Sequence, residues 1–261
     1  MKRLHKKSES ALLSTLTLSI ILLSAVAVLL FYASPPFTQD QTLNLLLSAV
    51  IPRFFIAIFL LVVAVAFFPE SLLSNRIPLK TLLWCILPLL VTVVNFPFSA
   101  LIRGTAQVTR VELVWLFLIK CLLIGLGEEL LFRGIIFHSL LGYFKKKKGA
   151  LFWPVLTSAV IFALFHFVNL MDGAGILPVL QQVGYSFLIG AMLAIFLLQT
   201  RNLWLCVLLH ALFDVGGFLI FDLGTGNPQD LTFWILTIII GILCTAQMVW
   251  MLIKQEKKLL G

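Results

Sequence analysis

Hydrophobic positions along the chain form long runs that short polar segments separate. Because an α-helix rises 1.5 Å per residue, about 20 apolar residues cross a hydrocarbon core of about 30 Å. Runs of this length predict eight membrane-spanning helices, at about 11–32, 44–67, 80–101, 111–140, 151–169, 176–199, 203–221 and 231–253. The pattern therefore predicts an all-α, polytopic membrane protein.

Composition agrees with this prediction. Hydrophobic residues make up 61% of the chain and charged residues only 11%, and the mean hydropathy is +1.10. These values exclude an ordinary soluble globular domain. The predicted loops are short and rich in Pro, Gly and Asp, and no internal repeat is visible. We therefore expect a single transmembrane domain over residues 1–261.

Basic residues in the loops and tails predict the orientation, because they accumulate on the cytoplasmic side. With the N-terminus inside, fourteen basic residues lie in inner segments and three in outer segments. The inner set is Lys2, Arg3, Lys6, Lys7, Arg76, Lys80, Lys145, Lys146, Lys147, Lys148, Arg201, Lys254, Lys257 and Lys258, and the outer set is Arg53, Arg103 and Arg110. The asymmetry predicts that both termini are inside, as an even number of crossings requires.

The net charge of +8 follows largely from this topology. The four lysines at 145–148 can contact membrane lipids through anionic headgroups, and nucleic-acid binding is not expected from so short a loop. The first apolar run, of about 22 residues, exceeds the 7–15 of a signal peptide and predicts an uncleaved helix. Cys85, Cys121, Cys206 and Cys244 lie in apolar runs and are interpreted as small hydrophobic residues.

Ionisable residues inside the predicted helices are the main functional signal, since each costs roughly 2.5–3.5 kcal/mol at the bilayer centre. In the fourth helix Glu129 and Arg133 are four residues apart, an order that favours a same-face ion pair. Glu128 points about 100° away around the helix, so the two glutamates can take different roles. The alternative is an ion network that only specifies helix packing.

The fifth and seventh predicted helices supply the remaining polar groups. His166 lies in the fifth, and His210 and Asp214 lie four residues apart in the seventh. A lone histidine in an apolar helix is more often a packing residue than a catalyst. A carboxylate, two imidazoles and a further acid on three helices are together sufficient to activate water and stabilise an oxyanion.

Three motifs in this order, EELLFRG, FALFH and HALFD, resemble those of the CAAX prenyl endopeptidase and bacteriocin-processing (CPBP, or Abi) family of intramembrane proteases. The resemblance covers about 111–221 and implies an eight-helix endopeptidase. It implies that Glu128 is the general base and that His166, His210 and Asp214 orient the water or stabilise the oxyanion. Glu129 and Arg133 match the supporting part of the first motif.

Asp214 departs from the family pattern, which typically has asparagine there. An ionised aspartate would oppose an oxyanion, so three roles stay open: a protonated acid, a group that orients His210, or a metal ligand. Zinc is one cofactor that the resemblance allows, with Glu128, His166, His210 and Asp214 as candidate ligands. The HExxH zinc motif is absent from the sequence, and we favour a water activated by Glu128 without a tightly held metal.

The sequence therefore predicts an intramembrane endopeptidase that cleaves a prenylated, lipidated or hydrophobic peptide or protein at the membrane. The alternative within the family is a non-catalytic protein of bacteriocin self-immunity or a membrane scaffold. A proton-coupled transporter is disfavoured, because no paired broken helices indicate an inverted repeat. We expect a multi-pass protein of a bacterial plasma membrane, and no feature predicts an oligomeric state.

Four other polar residues are assigned less specific roles. Lys120, eight residues before Glu128, is interpreted as structural, either paired with an acid or extended toward the interface. His138 is expected at the interface, and Glu112 fits a helix N-terminus. Asn169 either caps the fifth helix or contacts substrate.

Overall fold

A computed structural model of the chain describes residues 36–72, 83–145, 147–171 and 173–260. The helix predicted at 11–32 lies outside these residues, as do Arg76, Lys80 and Lys146. Within the described ranges, six helices are long and apolar enough to cross a membrane. A helical, multi-pass membrane protein is thereby confirmed, whereas the count of eight and the inside position of both termini stay predictions.

The described elements are helices of varying length and one pair of short strands. In chain order they are α1 (Gln41–Phe67), α2 (Pro69–Leu72), α3 (Ile86–Val94), α4 (Phe98–Arg103), β1 (Ala106–Val108), a 3₁₀ turn (Val111–Leu113), α5 (Val114–Glu129), a π-helix (Leu130–Phe137), α6 (His138–Phe144), α7 (Phe152–Phe165), a second 3₁₀ turn (His166–Leu170), α8 (Ile176–Thr200), α9 (Leu203–Leu223), β2 (Gly224–Gly226) and α10 (Leu231–Leu260). Helix α5 packs against α1 and α9, α8 packs against α7, and α10 packs against α3 and α8.

The third predicted helix is broken, which corrects the continuous helix expected at 80–101. Helix α3 ends at Val94, and α4 begins at Phe98. Pro97 lacks an amide hydrogen and disfavours helical backbone at the residue before it, so the chain leaves the helix there. The break packs against α9, where a Cβ on Gly216 would lie 2.8 Å from backbone atoms of Asn95 and Phe96.

The fourth predicted helix changes type along its length, whereas a regular helix was expected at 111–140. A 3₁₀ turn leads into α5, and eight residues of π-helix, Leu130–Phe137, separate α5 from α6. Such segments are rare and occur frequently at functional sites. The π-helix follows directly after Glu129 and contains Arg133, so the irregular backbone coincides with the first motif.

One end of the molecule, predicted to be outside, is closed by polar contacts. Strands β1 and β2 pair antiparallel, with Gln107 opposite Thr225. Arg110 binds Asp40 through two hydrogen bonds of 2.6 and 3.1 Å. These bonds lower the pKa of Asp40 to about 2, so the pair stays ionised at neutral pH. The start of α1 is thereby tied to the segment that leads into α5.

The opposite end is tied through the last helix. The Glu256 carboxylate, on α10, accepts hydrogen bonds from the amides of Leu151 (2.8 Å) and Phe152 (3.3 Å). These amides lie at the start of α7, where the helix dipole favours a negative group and the first amides have no partner within the helix. Helix α10 therefore stabilises the helix whose other end is followed by His166.

The close contact at Gly216 leads to a stability prediction. Gly216→Ala places a methyl group against backbone that cannot move independently, and overpacking of this kind costs about 1–3 kcal/mol. Thermal unfolding of the purified protein in detergent measures the loss. Gly142→Ala is the matched control, because no atom lies within 4 Å of a Cβ at that helical glycine. Equal melting temperatures for the two variants would contradict the packing described here.

Candidate active site

A close approach of α5 and α9 brings the first and third motifs together. A Cβ on Gly125 would lie 3.0 Å from the Ala211 nitrogen and the Val207 oxygen, so the two helix backbones are nearly in contact there. Gly125 lies one turn before Glu128 and Glu129, and Ala211 follows His210 directly. Because the spacing between the helices is so short, the acids of α5 reach the imidazole of α9.

Glu129 is the centre of a fully buried polar network. Its Oε1 atom accepts a hydrogen bond of 2.7 Å from Arg133 Nη1 and lies 2.7 Å from His210 Nδ1. Both Glu129 and Arg133 have no exposed surface. Since an ionised carboxylate can only accept, the proton of the second contact lies on Nδ1. The pair expected from sequence is present, and it also fixes the orientation of His210.

Arg133 extends the network to α7 and α8. Its Nη2 atom donates to the Gly190 carbonyl at 3.2 Å, and its guanidinium carbon lies 4.5 Å from the centroid of the Phe162 ring. A Cβ at position 190 would lie 2.9 Å from Phe162 Cδ1, so only glycine leaves this space. The buried cation therefore meets a carboxylate, a carbonyl and an aromatic face, the partners that offset its burial.

Glu128 has a different environment from its neighbour. Its side chain is 24% exposed and lines a cavity of about 1030 Å³, whereas Glu129 is not part of the cavity lining. Glu128 Oε2 lies 3.6 Å from His210 Nε2, the ring nitrogen opposite the one that contacts Glu129. The two adjacent glutamates thus contact opposite edges of one imidazole, and only the first reaches the cavity.

His166 lies at the junction between α7 and the second 3₁₀ turn and also lines the cavity. Its Nδ1 atom is 2.9 Å from the Phe162 carbonyl oxygen. Because a carbonyl only accepts, Nδ1 carries the proton, and Nε2 is an acceptor in the neutral ring. The Phe162 ring lies 5.0 Å from the His166 ring and 5.8 Å from the His210 ring, so both imidazoles pack against the same aromatic ring.

Asp214 completes the group of motif residues at the cavity. It is 7% exposed, and its Oδ2 atom lies 3.8 Å from His210 Nε2, too far for a hydrogen bond. The preceding residue is held by α3, since Asn95 Nδ2 donates to the Phe213 carbonyl at 2.6 Å. The structure therefore brings Glu128, His166, His210 and Asp214 to one cavity, with Glu129 and Arg133 behind them.

The cavity is mainly apolar and extends along the last helix. One face of α10 lines it at helical spacing, through Phe233, Thr237, Cys244, Met248 and Leu252. The other walls come from α1, α3, α5, α7, α8 and α9. Such a cavity can hold an extended apolar molecule with the polar motif residues against one side.

The described residues do not form a metal site. Among them, no group of three or more His, Cys, Asp or Glu side chains is arranged to hold an ion. His210 already contacts a carboxylate at Nδ1, and its Nε2 atom lies 3.6 and 3.8 Å from the two candidate acids. The four described residues considered as zinc ligands line one cavity without forming such a group.

Three polar residues outside the motifs can now be compared with their sequence predictions. Arg53 was counted as an outer residue, but it lies inside α1 and lines the cavity. The cost of a charge within an apolar run was the signal that could have identified it. Lys120 pairs with Asp222 of α9 at 2.6 Å, which confirms the prediction that it is paired with an acid. Asn169, which is predicted either to cap the fifth helix or to contact substrate, lines the cavity.

A comparison with known protein families gives a match over part of the chain. Residues 110–216 match the family described as type II CAAX prenyl endopeptidase Rce1-like, and this segment contains all three motifs. The resemblance to that family is therefore confirmed over the segment. No curated protein and no solved structure matches the chain. The family match supports a CAAX-type intramembrane protease, and the fold is that of an integral membrane protein.

Removing the cationic partner of Glu129 should cost more stability than substituting Glu128. Arg133→Met leaves the Glu129 charge buried without its cation, and breaking a buried pair in this way costs about 3–5 kcal/mol. Glu128 faces the cavity, so Glu128→Gln should lower the free energy of unfolding by less than about 1 kcal/mol. Unfolding of the two purified variants in detergent measures both values. Similar losses would show that the environments of the two glutamates do not differ as described.

Proposed function

We propose that the protein is an intramembrane endopeptidase that hydrolyses a peptide bond of a membrane-associated substrate, with Glu128 as the general base. The single observation that carries this proposal is the placement of Glu128 at the cavity beside His210, while Glu129 is buried against Arg133. One glutamate is thus free to exchange a proton, and the other is held as a structural anion.

The first chemical step would be the activation of a water molecule. We infer that the water lies on the cavity side of Glu128 and His210, within hydrogen-bond distance of both, since these two side chains approach to 3.6 Å and both line the cavity. Glu128 removes one proton while the water oxygen attacks the scissile carbonyl carbon. Nε2 of neutral His166, an acceptor at the cavity, would orient the water through its second hydrogen.

The tetrahedral oxyanion needs a hydrogen-bond donor or a positive charge. His210 would supply both when its ring is doubly protonated, because Nδ1 donates to Glu129 and leaves Nε2–H directed toward the cavity. A protonated Asp214 would be a second donor at the position where the family typically has asparagine. Collapse of the intermediate breaks the carbon–nitrogen bond, and Glu128 returns its proton to the leaving amine.

The substrate class follows from the cavity and the family. We infer a peptide with an apolar or lipid-modified part, since apolar side chains provide most of the cavity walls. A prenylated peptide is the member of this class that the family match favours. The cell location we propose is a bacterial plasma membrane, with membrane lipids around the helices.

Loss of the general base gives the most direct test. Glu128→Gln should lower the rate of cleavage at least about 100-fold, because an amide cannot accept the water proton. The assay uses purified full-length protein in lipid nanodiscs and an internally quenched peptide with an S-farnesyl cysteine before three C-terminal residues. Glu112→Gln is the matched control, since that acid lies outside the cavity lining and pairs with Arg110.

Two outcomes would contradict the proposal. Retained cleavage by Glu128→Gln would show that this residue is not the base. Failure of the unsubstituted protein to cleave the peptide would instead favour the non-catalytic alternative of bacteriocin self-immunity. Mass spectrometry in heavy-oxygen water adds a further check that the peptide bond is hydrolysed, because hydrolysis places one solvent oxygen in the new carboxylate.

Metal removal tests the mechanism separately. We expect ortho-phenanthroline and dialysis against EDTA to change the cleavage rate by less than about twofold, because no step requires a Lewis acid. The meta isomer of phenanthroline, which does not chelate, controls for direct inhibition. Elemental analysis of the active protein measures bound zinc. Loss of activity with the chelating isomer only, followed by recovery on addition of zinc, would contradict a metal-free mechanism.

A further inference from the structure

A polar patch lines the cavity next to His166, outside the motif residues. It consists of Asn169 on the second 3₁₀ turn and Gln181, Gln182 and Tyr185 on α8. Most other residues of the lining are apolar. The three amide side chains are uncharged, so they add hydrogen-bonding groups to the cavity without adding charge.

The 3₁₀ geometry places one of these amides beside a motif residue. Residues three apart on a 3₁₀ turn are eclipsed, so Asn169 lies on the same face as His166. Asn169 Nδ2 donates a hydrogen bond of 2.7 Å to Gln182 Oε1. The two residues therefore form a fixed pair that joins the turn after α7 to α8.

This pair keeps several hydrogen-bonding groups available. An asparagine or glutamine side chain offers two N–H donors and one carbonyl acceptor. The mutual bond uses one Asn169 N–H, and the described structure provides no other side-chain partner for either residue. Asn169 Oδ1 and the Gln182 amide hydrogens are thus free to meet a ligand that offers both a donor and an acceptor.

We propose that the Asn169–Gln182 pair binds the main chain of the substrate peptide next to the scissile bond. This inference rests on the proposed peptidase function and extends it with a binding subsite. A peptide unit presents an N–H for Asn169 Oδ1 and a carbonyl for the Gln182 amide. An anionic lipid headgroup fits less well, because the chain has no Lys or Arg between His166 and Thr200.

Recognition through the main chain has a consequence for specificity. Amide groups that bind the backbone accept many side chains, whereas the apolar walls select for hydrophobic ones. The subsite therefore fits an extended apolar segment of variable sequence. Tyr185 continues the patch toward the third motif, with its ring 6.2 Å from that of Phe213, the residue before Asp214.

The test measures binding without turnover, in protein that carries Glu128→Gln. The probes are the farnesylated peptide and two depsipeptides, in which an ester replaces the amide on one or the other side of the scissile bond. Asn169→Leu and Gln182→Met keep the side-chain volume and remove the hydrogen-bonding groups. Each should weaken peptide binding by about 3- to 10-fold, the effect expected for one or two lost hydrogen bonds.

The depsipeptides separate main-chain binding from packing damage. At least one ester should bind the Glu128→Gln protein about 3- to 10-fold more weakly than the peptide does. The variants that also carry Asn169→Leu or Gln182→Met should bind that ester and the peptide with equal affinity. Gln247→Met is the control, since Gln247 lies outside the cavity lining and donates to the Trp84 carbonyl at 3.4 Å. The Gln247→Met variant should bind all three probes with the same affinity as the protein that carries Glu128→Gln alone.

Two results would overturn the inference. In the first, the pair variants bind the peptide as tightly as the parent does. In the second, the pair variants bind the peptide and both esters more weakly by the same factor, which would indicate altered packing. The peptidase assay distinguishes both from failure of the proposed function, because protein with Glu128 intact must still cleave the peptide. No cleavage by that protein would overturn the function and, with it, this subsite.

Discussion

The burial of the Arg133 guanidinium is the constraint on which the rest of the structure depends. A cation without solvent contact is tolerated only when an opposite charge and other partners offset its burial, and here the partners come from three different helices. Glu129 provides the countercharge, the Gly190 carbonyl a further acceptor, and Phe162 an aromatic face. Each partner belongs to an element that also borders the cavity. The requirements of one buried charge therefore fix the relative positions of the helices that bear the motifs.

Irregular backbone provides the remaining adjustment. The π-helix after Glu129, the 3₁₀ turn at His166 and the break before Pro97 all lie next to residues that line the cavity. In a regular helix, side chains return to the same face at a fixed spacing along the sequence. A change of helix type turns the side chains that follow in a different direction. Glycines at 125, 190 and 216 allow the close contacts between these segments. The apolar helices form the frame of the protein, and these local changes of helix type direct polar side chains toward the cavity.

The sequence was sufficient for the membrane class, most helix bounds and the motif residues, because apolar runs and isolated charges are local signals. The Glu129–Arg133 pair was predictable from its four-residue spacing alone. The π-helix was not, since no residue type specifies it and tertiary packing selects it. The role of Arg53 was missed because it was counted with the loops, and the Asn169–Gln182 bond depends on contact between two elements. What the sequence could not predict was therefore mainly the relation between helices, which only folding in three dimensions establishes.

The contact of Glu256 with the amides at the start of α7 links this helix to α10. Glu256 lies in the last turns of α10, so trimming or replacing that part of the helix removes the carboxylate. Removal would leave the amides of Leu151 and Phe152 without their acceptor and loosen the helix that leads to His166. Truncated or tagged forms of this protein should for that reason keep Glu256 and the helix that carries it.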